Sequence, residues 1–244
     1  MLVTRNYGLR AFSLLLDERQ IRRPEMTLNT IVSYDGTPND DDALAFARVL
    51  SQAGANLILA YVRHSTDNRD EAQAQALLER GAAKLGGQVE TRVVLNRSTS
   101  EGLKQLAHDE NAQLIVFGSD YRTSAGRIAP QKSTQSLLDG GPTAVAIAPA
   151  GYAGHEIKTI GLLAGLDDHA AIDTAHGIAS HFGAEVTDKN YNVDLLIVGS
   201  RPEAHEGQTM ISAQAENALV GTSAPVLVVG RGSVLSFGAR VFAA

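Results

Sequence analysis

The chain has 244 residues, 44% of them hydrophobic and 20% charged, with a formal charge of −6 and a sequence pI near 5.6. That balance argues against a general nucleic-acid binder, which needs a basic face. The absence of cysteine removes disulfides, thiolate nucleophiles and Cys-based metal sites together, and fits a reducing cytoplasm. No apolar run approaches the ~18 residues of a membrane span, so no membrane partner is expected.

Residues 1–25 differ from the rest of the chain. Leu14-Leu15-Leu16 is too short for a secretory core and runs into Asp17-Glu18. The expectation is an N-terminal extension, poorly ordered or loosely helical. From Thr30 strands and helices alternate. Thr30–Ser33 is a first strand, and Thr37-Pro38 with Asp40, Asp41 and Asp42 reads as a helix start: a hydroxyl cap, a proline, then carboxylates at the positive end of the dipole. Ala43, Phe46, Ala47 and Leu50 form the buried stripe, and Gly54 closes the helix. Leu57–Val62 is the second strand, and Ala74, Leu77, Leu78, Gly81 and Leu85 mark the second helix. Val89–Leu95, with charged alternation, is a third strand at a sheet edge. Ser98 and Glu101 form a capping box for a helix bearing Leu103 and Leu106. Leu114–Phe117 runs into Gly118-Ser119, followed by a loop, a helix over 131–139 and a strand from Thr143. The pattern predicts an α/β fold: an open parallel five-stranded sheet with helices on both faces.

Part of this is written twice. Gly118-Ser119 returns as Gly199-Ser200, 81 residues on (199 − 118), and Val145 returns as Val226 at the same offset (226 − 145). Thr159–Ala164 repeats the opening strand, and Asp168 caps a helix closed by Gly183. Gly183 lies 129 residues after Gly54, so 129 − 81 = 48 residues of the first unit have no counterpart. The division expected is a full domain over 26–150, a truncated copy over 157–230 and a tail over 231–244. Only Val186 to Val193 lead back to the next strand, too few for a regular crossover of about a dozen residues. The second unit should therefore keep strands at 159–164, 194–199 and 225–229, with at most a vestigial one near 184–187. Two Val-rich last strands in one chain should pair antiparallel, as an intrachain pseudo-dimer or by self-association of two chains.

The opening strand with its Asp35-Gly36-Thr37 turn, and the apolar strand into Gly118-Ser119 followed by a Pro-Val-x-Val-type strand, resemble the universal stress protein family. The resemblance implies a Rossmann-like domain related to the adenine-nucleotide α-hydrolases, with strand order 3-2-1-4-5. In the family's nucleotide-binding branch the loop after the fourth strand reads Gly-x-x-Gly, nine residues, Gly-Ser/Thr. Such glycines let backbone amides close on phosphate at a helix N-terminus. Here the first loop reads Gly118-Ser119-Asp120-Tyr121, nine residues, Gln131-Lys132; the second reads Gly199-Ser200-Arg201-Pro202, nine residues, Ser212-Ala213. The spacing survives, but two of three glycines are gone from each.

The nucleotide-site candidates are Asp35, Gly118, Ser119, Arg127, Lys132 and Ser133. Arg127, Lys132 and Arg122 are side chains that could neutralise phosphate in place of the lost backbone approach. Asp35 has two readings, a polar contact to nucleotide or an Asx-type turn, and the turn is preferred. The seven histidines lack metal-site spacing, and Ser119 and Ser200 stand in no hydrolase elbow. The adenine-nucleotide α-hydrolase loop, Ser-Gly-Gly-x-Asp-Ser, is not supplied by Tyr34-Asp35-Gly36-Thr37. The expectation is a non-enzymatic cytoplasmic stress-response binding factor with degenerate nucleotide loops, no cofactor and an unspecified small-molecule ligand. The alternative is an ATP-binding stress protein that senses nucleotide through the first domain.

Overall fold

The computed structural model describes residues 28–87 and 89–237. The N-terminal extension, Val241 and Phe242 lie outside the described residues. The first unit runs β1 (Leu28–Ser33), α1 (Asp40–Gln52), β2 (Ala55–Arg63), α2 (Asn68–Lys84), β3 (Glu90–Leu95), α3 (Thr99–Asp109), β4 (Leu114–Gly118), α4 (Lys132–Leu138) and β5 (Ala144–Ala148). The second runs β6 (Thr159–Leu163), α5 (His169–Phe182), β7 (Glu185–Thr187), β8 (Leu195–Val198), α6 (Ala213–Gly221) and β9 (Val226–Val228).

All nine described strands form one sheet, in the order β3-β2-β1-β4-β5-β9-β8-β6-β7. The first five positions are the 3-2-1-4-5 order that the family resemblance implies, in parallel register throughout. The remaining four repeat the same plan in reverse. At the seam β5 and β9 run antiparallel, with Val145 opposite Val228, Ala146 opposite Leu227 and Ile147 opposite Val226.

Continuous apolar strands are what a sheet covered on both faces requires. Alternation sorts them: Val32, Leu114, Val116, Leu195, Ile197 and Leu227 pack under α1, α2 and α5. Ile31, Ile115, Phe117, Leu196, Val198 and Val226 pack under α3, α4 and α6. The short return expected from spacing is visible in the second unit. β7 has three residues, paired parallel to β6, and no helix intervenes between it and β8. A loop over 188–194 takes that space; it approaches so closely that a Cβ on Gly161 of β6 would collide with the Lys189 carbonyl oxygen.

The linker is bound rather than slack. Gly151 donates its N–H to the Asp42 carboxylate (2.9 Å), the Tyr152 ring meets Phe46 edge-on at 5.9 Å, and Ile157 enters the core. At its end the Asp194 carboxylate accepts the N–H groups of Lys158 and Thr159, both at 2.9 Å. Past β9, Leu235 is buried and its N–H donates to the Thr174 hydroxyl on α5 (3.0 Å), while Phe237 packs on the same core. The described part of the tail thus covers the α5 side of the sheet.

Two local expectations are corrected. α1 begins at Asp40, with Asn39 as N-cap, and Thr37 does not cap it. The Ser98 hydroxyl accepts the Glu101 N–H as a capping box requires (3.4 Å), but Glu101 turns outward to Lys104 (2.9 Å), and Asn96 takes the Ser98 N–H instead.

Candidate functional site

In an open α/β sheet, ligands bind beyond the carboxyl ends of the strands where the strand order reverses, here between β1 and β4. A cleft of about 120 Å³ opens there. Its walls come from the end of β1 (Ser33, Tyr34, Asp35), α1 (Asp40), the end of β2 and the residue after it (Tyr61, Val62, His64), the start of α3 (Thr99), and the β4–α4 region (Phe117, Gly118, Gln131, Ser133).

Three of the six candidates therefore meet: Asp35, Gly118 and Ser133. The other three do not line it. The Ser119 side chain is fully buried, its hydroxyl donating to the carbonyls of Ala148 (2.9 Å) and Arg127 (3.3 Å), which pins the loop to the end of β5. Arg127 and Lys132 are not buried and line none of the cleft, and Arg122 lies over the Tyr121 ring at 4.8 Å. Gly118 has a packing reason of its own: a Cβ there would collide with the Asn39 carbonyl oxygen, where α1 begins. α4 offers its first turn to the cleft through Ser133, but has only seven residues and no side-chain cap.

The turn after β1 explains Asp35. Its Oδ1 accepts the Thr37 N–H (3.0 Å), as in an Asx turn, and Gly36 supplies the positive φ of 82°. The residue that organises this turn is Asp40, which is only 3% exposed. Its Oδ2 accepts the N–H groups of Asp35 (2.6 Å) and Gly36 (2.9 Å). Burial, then the hydrogen bond and charge of the adjoining Asp35 carboxyl, push the Asp40 carboxyl up to about 8, against the opposing pull of the two amides.

Its neighbours do different work. Asp41 is exposed and holds Lys84 through both oxygens (2.7 and 2.8 Å), while Asp42 is buried and holds the linker at Gly151. Burial also raises the Asp42 carboxyl. All three stand in the first turn of α1, as expected of acids at the positive end of the dipole, and each has a separate contact besides. Tyr61, His64 and Thr99 are cleft residues that sequence reasoning passed over, and Asp40 was read there only as an acid opening a helix. A signal was present: in 3-2-1-4-5 order, the end of β2 must lie beside the end of β1.

The loop itself repeats bond for bond at the 81-residue offset. Asp120 N–H to Ala129 carbonyl (2.8 Å) matches Arg201 to Met210 (2.8 Å). Gly126 to Ala150 (2.7 Å) matches Gly207 to Arg231 (2.7 Å), with both glycines at positive φ. Ser119 to Ala148 matches Ser200 to Val229 (2.6 Å). At the place of Asp35 the second unit has Ala164-Gly165, and nearby Asp168 caps α5 through Ala171 N–H (3.2 Å).

An open sheet covered on both faces, with a polar cleft where the order reverses, is the plan of a doubly wound α/β protein. The model of the universal stress protein family matches residues 26–149, and the chain belongs to that family. Among solved structures it is similar to a universal stress protein from Archaeoglobus fulgidus DSM 4304 (TM-score 0.67, 14% identity, covering 85% of this chain and 100% of that one). It is also similar to the functionally unknown protein PA1789 from Pseudomonas aeruginosa PAO1 (TM-score 0.60, 12% identity, covering 84% and 93%). At such identities the likeness is one of fold, and its extent takes in both units. A comparison with curated proteins found no match. Among the described residues no helix is long and apolar enough to cross a membrane.

Proposed function

We propose that the chain is a non-enzymatic stress-response binding factor of the cytoplasm, whose first unit keeps the family's cleft without its phosphate loop. The second unit, in this reading, is a reduced copy that covers the last strand of the first. The observation that carries the proposal is the cleft itself: about 120 Å³, with two carboxyl groups and neither lysine nor arginine in its lining. Ligand pockets for molecules of nucleotide size run to roughly 300–1,000 Å³, and triphosphate demands cations or converging amides. Tyr121, Gln131 and Lys132 stand where the family's nucleotide-binding loop has glycine, glycine and serine or threonine.

The nucleotide-sensing alternative draws on one observation, that Asp35, Gly118 and Ser133 line a single cleft. Calorimetric titration with ATP·Mg separates the two. The proposal expects no binding tighter than about millimolar, an affinity near 4 kcal/mol. Micromolar binding that is lost in Asp35→Ala would establish nucleotide sensing instead.

A further inference from the structure

The second unit lacks a helix that the first unit has, and a hollow stands in its place. In the first unit α3 packs beside α4, where Leu103 and Leu106 share a core with Leu137. In the second unit no helix intervenes between β7 and β8, and the residue at the place of Leu137 is Ala218 (218 − 137 = 81). A space of about 480 Å³ opens there between α6 and the 188–194 loop, against about 120 Å³ for the cleft at the end of β1.

We infer that this hollow is a second ligand site, for a neutral polyhydroxylated molecule of the size of a pyranose disaccharide. The inference goes beyond the binding-factor reading and does not depend on the first unit's cleft.

The lining selects the chemistry. It contains no acidic, basic or histidine side chain and no large aliphatic one. Ions therefore find no opposite charge, and an apolar partner finds little to bury against. What the hollow presents is three carboxamides, Asn190, Gln214 and Asn217, none with a hydrogen-bond partner among the described residues. Each carboxamide holds a donor and an acceptor in one plane, which suits adjacent hydroxyls that are donor and acceptor at once. Gln214, Asn217, Ala218 and Gly221 recur at three- and four-residue spacing, so α6 turns one face to the ligand.

Tyr191 adds an aromatic anchor. It is 62% exposed, belongs to neither core, and borders both this hollow and a smaller one of about 180 Å³ beside β7. A tyrosine supplies apolar surface for the C–H groups of a sugar together with a polar tip, and ordering it costs little entropy. Its loop is already held in place. The Lys189 carbonyl lies against Gly161, Asn192 takes a left-handed φ of 52°, and the Asp194 carboxylate accepts the Lys158 and Thr159 N–H groups. Such pre-organisation lowers the cost of binding. The volume of about 480 Å³ lies within the roughly 300–1,000 Å³ of small-molecule pockets.

The test is a titration of the full chain followed by two-dimensional proton–nitrogen NMR. Maltose, cellobiose, trehalose and sucrose are the probes, and N-acetylglycine methylamide is the neutral, peptide-like comparison. At least one sugar should bind saturably with a dissociation constant of about a millimolar or tighter, and the comparison compound should not. The shifts should fall on the side-chain amides of Asn190, Gln214 and Asn217. Tyr191→Ala should weaken binding by about tenfold or more and Asn217→Ala by several-fold; both side chains are exposed, and a thermal melt confirms folding. The inference is overturned if no sugar moves those amides, if Tyr191→Ala leaves the affinity unchanged, or if the peptide-like compound binds as tightly. ATP·Mg reads the first unit's cleft separately, so the binding-factor reading and this inference stand or fall by different titrations.

Discussion

Cut between residues 150 and 158, the chain should yield a carboxyl-terminal half that is insoluble alone and soluble when co-expressed with the amino-terminal half. Val226, Leu227 and Val228 have no exposed surface in the intact sheet, and their outer edge is paired with β5. Removal of the first unit uncovers that edge and takes away its share of the two cores to which α5 and α6 contribute. Full burial of one Val or Leu contributes about 1.5–3 kcal/mol, so losing several exceeds what a remnant of four short strands and two helices can spare. An unpaired, Val-rich edge is also a template for aggregation. Thr209 adds a polar tie: its hydroxyl donates to the Leu137 carbonyl at 2.6 Å, joining the second loop to the end of α4. A soluble, monodisperse carboxyl-terminal half would show that the seam does not hold the second unit together.

The second large effect is one of pH. In the unfolded chain Asp40 titrates near 3.8; in the folded chain burial, with Asp35 beside it, raises it to about 8. Between those values the folded state holds a proton that the unfolded state has released. The contribution is therefore fully present below pH 4 and lost as pH rises toward 8, at up to about 1.4 kcal/mol per pH unit. Asp40→Asn keeps an oxygen for the Asp35 and Gly36 amides and removes the charge. Urea unfolding at pH 5 and pH 8 should show the variant gaining on wild type by on the order of a few kcal/mol at the higher pH. An unchanged difference between the two proteins at both pH values would mean that Asp40 is not protonated in the fold.

Much of this architecture was legible because its signals are local and repeated. The 81-residue offset put Gly118-Ser119 over Gly199-Ser200, and the same offset recurs in the loop hydrogen bonds. Val186 to Val193 left no room for a regular crossover, and the chain indeed passes from the three-residue β7 to β8 without a helix. The site was less legible. Asp40, Asp41 and Asp42 are equivalent in sequence, three acids opening a helix. Which one is buried under the turn, which meets Lys84 and which grips the linker depends on where β4, α2 and Gly151 arrive in space. The same holds for Arg127 and Lys132: spacing placed them on the loop and its helix, but could not say that they line no part of the cleft.

The most direct test is calorimetric titration of ATP·Mg into the full chain at pH 7, beside the Asp35→Ala variant. A cleft of about 120 Å³ with two carboxyls and neither lysine nor arginine in its lining should give no binding tighter than about millimolar. Micromolar binding of ATP·Mg that is lost in Asp35→Ala would contradict the account.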